Sequence, residues 1–213
     1  MKNKHERESG FALLIGSLLM VVTMVLHPVG GNWEHLLRIA RMAVIAHAIG
    51  ILSLPILLMG YRGLSTQLQG DLFFAMLGKL FVTFALIAGM IAAALNGLAL
   101  PFFIEQFQEV TPEVLETAKL ILRYGMSLNH AFDYIMIGGM CLAILCWSVA
   151  IVRTRAFPLW LAYLGFVLSG TAVAMAIAGF YFVDLHGFRL FIFGVVIWTA
   201  CAGVLMIRKR VDS

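Results

Sequence analysis

A histidine and an aspartate stand three residues apart near the start of a long apolar run, in the segment SLNHAFDYIM that covers residues 127–136. An aspartate close to an imidazole can orient the ring or stabilise its charged form. Ionisable side chains within apolar, membrane-length runs are costly to bury, and they usually face the interior of a helix bundle. His130 and Asp133 therefore predict a polar site inside an otherwise apolar segment.

Other polar residues extend this predicted site. Arg123, Ser127, His130 and Tyr134 are three or four residues apart, so a helix would carry them on one face, with Asp133 beside it. His47 and Asn96 lie in two other apolar runs and need polar partners there. The predicted ligand-binding set is His47, Asn96, Arg123, Ser127, His130, Asp133 and Tyr134.

The histidines also suggest metal or haem chemistry. Three imidazoles with one open coordination position form a hydrolytic zinc arrangement. The predicted metal ligands are His47, His130, His186 and Asp133, with Glu34 as the alternative carboxylate. As a second hypothesis, His47 and His130 would ligate haem b, and Arg123 would bind a propionate. The sequence contains no CxxC, HExxH or glycine-rich phosphate loop.

Composition and run length predict that these residues lie on membrane helices. Of the 213 residues, 62% are hydrophobic and 12% are charged, against about 45–50% and about 25% in soluble domains. The apolar residues form runs near the ~20 residues that cross a bilayer, where the backbone has to be satisfied by helices. The predicted spans are 11–26, 40–59, 80–100, 124–152, 159–183 and 188–207. We therefore predict an all-α, six-helix transmembrane bundle forming one domain over residues 1–213.

The distribution of Lys and Arg predicts the orientation of this bundle. One side would carry Lys2, Lys4, Arg7, Arg62, Lys79, Arg153, Arg155, Arg208, Lys209 and Arg210, and the other Arg38, Arg41, Lys119, Arg123 and Arg189. The richer side is expected to be cytoplasmic, so both termini would lie inside, as short tails 1–10 and 208–213. The segment 105–123 would be amphipathic and lie on the outer surface. The expected location is a cell membrane, the cytoplasmic membrane in a bacterium.

Small residues predict close helix packing in two spans. Ala85, Gly89, Ala93 and Gly97 recur at every fourth position of the third span, and Gly170, Ala174 and Ala178 do so in the fifth. Such faces let helix backbones approach closely within lipid. We predict packing within one monomer, with a homodimer as the alternative. Weak similarity around His47, His130 and His186 further suggests three related helical hairpins.

Three classes of function are compatible with these patterns, and the sequence does not decide whether the protein is an enzyme. In the first, an outward-opening pocket lined by histidine and aspartate binds a metal, haem or a small polar ligand. In the second, the protein is a carrier or binds lipid, whose headgroups Arg38, Arg41, Arg123 and Arg189 would hold. In the third, it is a structural or assembly subunit. The net charge of +4 does not indicate nucleic acid, because the basic residues lie at the ends of the runs.

Overall fold

In the computed structural model, the backbone is described for residues 2–208 and the side chains for residues 5–208. All regular structure in this range is helical: α1 (Lys2–Leu26), α2 (Trp33–Gln67), α3 (Leu72–Ala94), α4 (Leu100–Glu105), α5 (Pro112–Thr154), α6 (Leu159–Ile177) and α7 (Leu185–Arg208). A short 3₁₀ turn, Gln69–Asp71, precedes α3, and a π-helical turn, Leu95–Ala99, joins α3 to α4. Lys209 and Arg210 of the predicted cytoplasmic tail lie outside the described residues.

Six of the described helical stretches are long and apolar enough to cross a membrane, which confirms the predicted all-helical fold with six helices of membrane-spanning length. The third stretch runs from Gln69 to Glu105 and combines α3, the π turn and α4. Several stretches exceed the predicted spans, because helices continue beyond the apolar run. With 43 residues, α5 is roughly 65 Å long at a rise of about 1.5 Å per residue, more than twice a hydrocarbon core of ~30 Å.

Local start signals explain where two of these helices begin. Asn32 caps α2, since its Oδ1 accepts a hydrogen bond of 2.9 Å from the backbone N–H of His35. Helix α5 begins at Pro112, directly after Thr111. A proline costs little at the first position of a helix, because its missing backbone N–H would have no partner there. Helix α6, by contrast, ends at Ile177 rather than at the predicted residue 183. Gly179 follows with a φ of 85°, a conformation that glycine adopts readily.

The small face of α3 packs against α5. Ala85 and Gly89 are buried, and a Cβ added at Gly139 of α5 would lie only 3.0 Å from the Cβ of Ala85. One turn further along α3, a Cβ at Gly89 would lie 2.6 Å from the Sδ of Met136. These close approaches bring α5, which carries Asp133, against the helix that leads to Asn96.

The prediction for the small face of α6 was wrong. Gly170, Ala174 and Ala178 are exposed, and no atom lies within 4 Å of a Cβ added at Gly170. Helix α6 packs through another face, whose buried residues are Leu161, Ala162, Gly165, Ser169 and Ala172. The recurrence of small residues at every fourth position identified a small-residue face of α6, but it did not show whether that face points into the bundle or outward.

At the end of the bundle where α1 begins, aromatic rings form a closed core. Tyr61 stacks on Trp147 with ring centroids 5.1 Å apart, and Trp147 stacks on Trp198 at 5.9 Å. The Tyr61 hydroxyl shares a 2.6 Å hydrogen bond with Thr199, while the Nε1 of Trp147 donates to Ser65. The Nε1 of Trp198 donates to the backbone carbonyl of residue 161. Every polar atom of this stack is therefore satisfied within the protein.

Candidate functional site

A cavity of about 380 Å³ lies in the opposite half of the bundle, where α1 ends. Its walls come from α1, α2, α3, the π turn, α4, α5 and α7, and from the segments that follow α1 and precede α7. Most of the wall is apolar, with Met20, Met24, Ile39 and Met126 among the lining residues. The polar lining residues are Thr23, His27, His47, Asn96, Asn129, His130, Asp133 and Asp184.

His47 is held on α2 in a defined tautomer. Its side chain is buried, and its Nδ1–H donates a 2.8 Å hydrogen bond to the carbonyl of Ala43, one turn earlier in α2. Because a carbonyl oxygen can only accept, Nδ1 carries the proton and Nε2 keeps its lone pair. Within residues 5–208 no group hydrogen-bonds to Nε2. His47 thus provides a hydrogen-bond acceptor in the wall of the cavity.

His27 is the neighbour of His47 that the sequence analysis did not select. The two imidazole centroids are 4.7 Å apart, with the ring planes inclined by 58°. The Nδ1–H of His27 donates to the Pro28 carbonyl at 3.0 Å, so its Nε2 is also an unprotonated acceptor. The sequence signal for His27 is weak, because this histidine lies in a His-Pro pair directly after the first apolar run.

The environment of His27, just beyond the end of α1, keeps its ring neutral. Burial is the main cause that lowers its pKa from 6.5 to about 4, and unfavourable electrostatic interactions with His47 and Arg189 lower it further. The hydrogen bond to Pro28 opposes these effects. Arg189 donates from Nη2 to the backbone carbonyl of His27 at 2.7 Å, which fixes this loop against α7.

The π-helical turn Leu95–Ala99 places Asn96 and Gly97 against α2. A Cβ added at Gly97 would overlap the Cβ and the ring of His47, so only glycine leaves room for this imidazole. Pro101 lacks the N–H that a regular helix would direct to the carbonyl of Gly97, which favours a change of helix type here. Asn96 lines the cavity, and its side-chain amide has no hydrogen-bond partner in the described part of the chain. Such π turns are frequent at functional sites.

Asp133 and Asn129 form the polar pair of α5. Asn129 donates from Nδ2 to the Oδ2 of Asp133 at 2.7 Å, one helical turn apart. Asp133 is 7% exposed, and its Oδ1 has no hydrogen-bond partner among the described residues. His130 also lines the cavity but is exposed, so it lies at the edge.

The structure brings four of the seven predicted ligand-binding residues to this cavity: His47, Asn96, His130 and Asp133. The other three, Arg123, Ser127 and Tyr134, are exposed and do not line it, contrary to the prediction. The lining positions of α5 are Leu122, Met126, Asn129, His130, Asp133 and Met136, which follow an adjacent face of the helix. The spacing predicted that Arg123, Ser127, His130 and Tyr134 share one face of α5, but most of that face points away from the cavity.

The predicted metal and haem sites receive no support. Within the described residues, no three His, Cys, Asp or Glu side chains are placed to hold a metal ion. His186 and Glu34 are exposed and lie outside the cavity lining, which removes two of the predicted ligands. Arg123, assigned to a haem propionate, also lies outside the lining.

The chain matches no protein-family model, and no curated protein or solved structure shows significant similarity to it.

Proposed function

We propose that this integral membrane protein binds a small amphipathic molecule in the cavity described above. The observation that carries the proposal is an apolar cavity of about 380 Å³ into whose wall four side chains bring polar atoms without a partner in the described chain. These atoms are His27 Nε2, His47 Nε2, the Asn96 amide and Asp133 Oδ1. Small-molecule sites have volumes of about 300–1,000 Å³, predominantly apolar walls and a few convergent polar groups. The cavity has each of these properties.

The unpaired atoms favour a binding protein over a purely structural subunit. Buried polar groups in folded proteins are almost always hydrogen-bonded, and an unmade bond costs about 1–3 kcal/mol. The aromatic stack of Tyr61, Trp147 and Trp198 follows this rule, because each of its polar atoms has a protein partner. The cavity atoms face open space, so a ligand or water can supply the partner that the described residues do not. Buried unpaired atoms also occur outside the cavity wall, at Ser17, Gln67, Ser148 and Arg189.

The orientation predicted from Lys and Arg would place this cavity in the outer half of the membrane. Gly30, Gly31 and Asp184, which lie in the segments after α1 and before α7, form part of its wall. A ligand would then enter from the outer aqueous side or from the outer leaflet. A carrier and a receptor for such a molecule share this site chemistry.

Photolabelling with a small uncharged aryl diazirine tests whether the cavity takes up organic molecules. In lipid nanodiscs, labelling should be saturable at cavity positions such as Met20 and Met24. It should rise linearly with probe concentration at Ile177, which is 83% exposed on the outside of α6. The sites are mapped by mass spectrometry of proteolytic fragments.

The matched variants are Ala93→Phe and Ala176→Phe. Ala93 lines the cavity, whereas Ala176 is exposed on α6, so the same added ring fills the cavity in one variant and enters lipid in the other. We expect Ala93→Phe alone to abolish saturable labelling, with both variants still unfolding cooperatively on heating. Saturable labelling that is equal in the two variants would place the binding site elsewhere and overturn the proposal.

A further inference from the structure

We infer that the ligand of this cavity carries a cationic, hydrogen-bond-donating head, and that it is an organic ammonium ion with a small apolar body. The inference rests on the proposed binding function and assigns the chemical class of the ligand. Two independent properties of the wall support this inference. Its charged side chains are acidic, and most of its free hydrogen-bonding groups are acceptors.

The charged groups in the wall are acidic. Asp133 and Asp184 line the cavity, whereas no lysine or arginine is among the described residues that do so. Arg189, which donates from Nη2 to the His27 carbonyl and whose buried Nε has no partner among the described residues, is not part of the wall. In a protein with an excess of basic residues overall, an acidic cavity selects cations over anions by charge complementarity.

The hydrogen-bonding groups are mostly acceptors. His27 and His47 both use Nδ1–H on backbone carbonyls, so each offers only the lone pair of Nε2. Asp133 offers Oδ1, because Oδ2 already accepts from Asn129. A carboxylate or phosphate would face these lone pairs and find donors only on side-chain amides, whereas an ammonium supplies up to three N–H donors and the compensating charge.

Of the five other polar lining residues, three are already hydrogen-bonded: Thr23 donates to the Leu19 carbonyl, Asn129 donates to Asp133, and Asp184 accepts from the Gly187 N–H. The other two, Asn96 and His130, do not decide between a cationic and an anionic ligand. The Asn96 amide can donate or accept, and it has no partner in the described structure that fixes it. No hydrogen bond defines the tautomer of His130, which lies at the edge of the cavity. These residues can therefore adapt to an ammonium head or to a hydroxyl elsewhere on the ligand.

The apolar part of the wall determines the rest of the ligand. Met20, Met24 and Met126 bring flexible, polarisable side chains that adapt to different apolar shapes. Leu36, Ile39 and Leu122 complete a surface that suits a hydrocarbon or aryl body. A bare metal cation would leave this surface unused, and no three metal-binding side chains converge in the described residues. The site fits an amphipathic amine better than an inorganic ion.

The test uses 2-phenylethylammonium and 3-phenylpropanoate, two ions of nearly equal size and opposite charge. Each competes with the uncharged diazirine in nanodiscs of zwitterionic lipid, which attract neither ion by surface charge. We expect 2-phenylethylammonium to halve the saturable labelling at a concentration at least tenfold lower than 3-phenylpropanoate. Asp133→Asn, which keeps the shape of the side chain, should remove most of this preference.

Glu109→Gln is the matched control, because it removes one negative charge at an exposed position outside the cavity wall. It should leave the preference for the ammonium unchanged. Equal competition by the two ions, stronger competition by the anion, no competition by either ion, or a preference that survives Asp133→Asn would overturn the inference. Saturable labelling by the uncharged probe in those same samples would leave the proposed binding function standing, so the two failures are distinguishable.

Discussion

The contact between two imidazoles is the residue-scale feature that the sequence pattern did not reveal. His47 was selected for its position inside an apolar run, but its neighbour proved to be His27, with ring centroids 4.7 Å apart. His130, the expected partner, is exposed at the edge of the same cavity. Periodicity groups residues within a helix, whereas this pair joins α2 to the loop after α1, and such a contact depends on how helices pack.

The contact predicts that His27 and His47 are energetically coupled. Residues in direct contact typically show interaction energies of about 0.5–3 kcal/mol, while distant substitutions add. We expect His27→Ala combined with His47→Ala to destabilise the protein by less than the sum of the single effects, measured by denaturant unfolding. His186→Ala, at an exposed position outside the cavity, should be additive with His47→Ala. Strict additivity in the first pair would exclude an energetic link between the rings.

The lowered pKa of His27 predicts a pH dependence of stability. The unfolded chain binds a proton at this residue below about pH 6.5, whereas the folded protein does so only near pH 4. Acidification from pH 8 to pH 5 should therefore destabilise the fold through this residue. The effect should be about 1 kcal/mol, since each pKa unit is worth about 1.4 kcal/mol and the partly exposed ring is screened by solvent.

The measurement compares unfolding of the parent protein and of His27→Gln at both pH values. Glutamine cannot take up the proton, so the His27→Gln variant should lose about 1 kcal/mol less unfolding free energy on acidification than the parent protein does. An equal loss in both proteins would show that His27 titrates alike in the folded and unfolded states.

At the scale of the helices, neighbouring glycines of α5 have opposite surroundings. A Cβ at Gly139 would meet the Ala85 Cβ at 3.0 Å and the Phe81 carbonyl at 3.3 Å, whereas a Cβ at Gly138 would have no atom within 4 Å. Gly139→Leu should therefore lower the free energy of unfolding by about 1–3 kcal/mol through overpacking. Gly138→Leu is the control, with the same side chain in the same helix, and should be close to neutral. Equal tolerance of both changes would mean that α3 and α5 are not packed as closely as described.

The close contact between the π turn and His47 predicts that Gly97 is needed for ligand binding in the cavity. Gly97→Ala would push a methyl group into His47, so it should displace the imidazole and abolish saturable labelling of the cavity. Gly170→Ala, on the exposed face of α6 with no atom within 4 Å, adds the same methyl group without this contact. Labelling should be unchanged there. Retained labelling in Gly97→Ala would separate the π turn from the binding site.

At the scale of the whole molecule, composition and run length were enough to predict an all-helical membrane protein, because the hydrocarbon core imposes helix length and backbone satisfaction. Local residues also favour the observed starts of α2, where Asn32 caps the helix, and of α5, where Pro112 occupies the first turn. The neighbours of each helix were less predictable. Lipid is as apolar as leucine, so hydrophobicity alone does not separate an inward face from an outward one. This explains the errors at Tyr134 on α5 and Gly170 on α6.

The orientation of the bundle remains a prediction, and it determines from which side a ligand reaches the cavity. Ten basic residues against five favour cytoplasmic termini. That orientation places Glu109, exposed between α4 and α5, outside the cell and Gln69, exposed between α2 and α3, inside it. A membrane-impermeant maleimide applied to intact cells should therefore modify Glu109→Cys, and should modify Gln69→Cys only after the membrane is opened. The parent chain is the control for its own cysteines, of which Cys141 and Cys146 are buried. The reverse pattern would move the cavity to the cytoplasmic half and make the cytoplasm or the inner leaflet the source of its ligand.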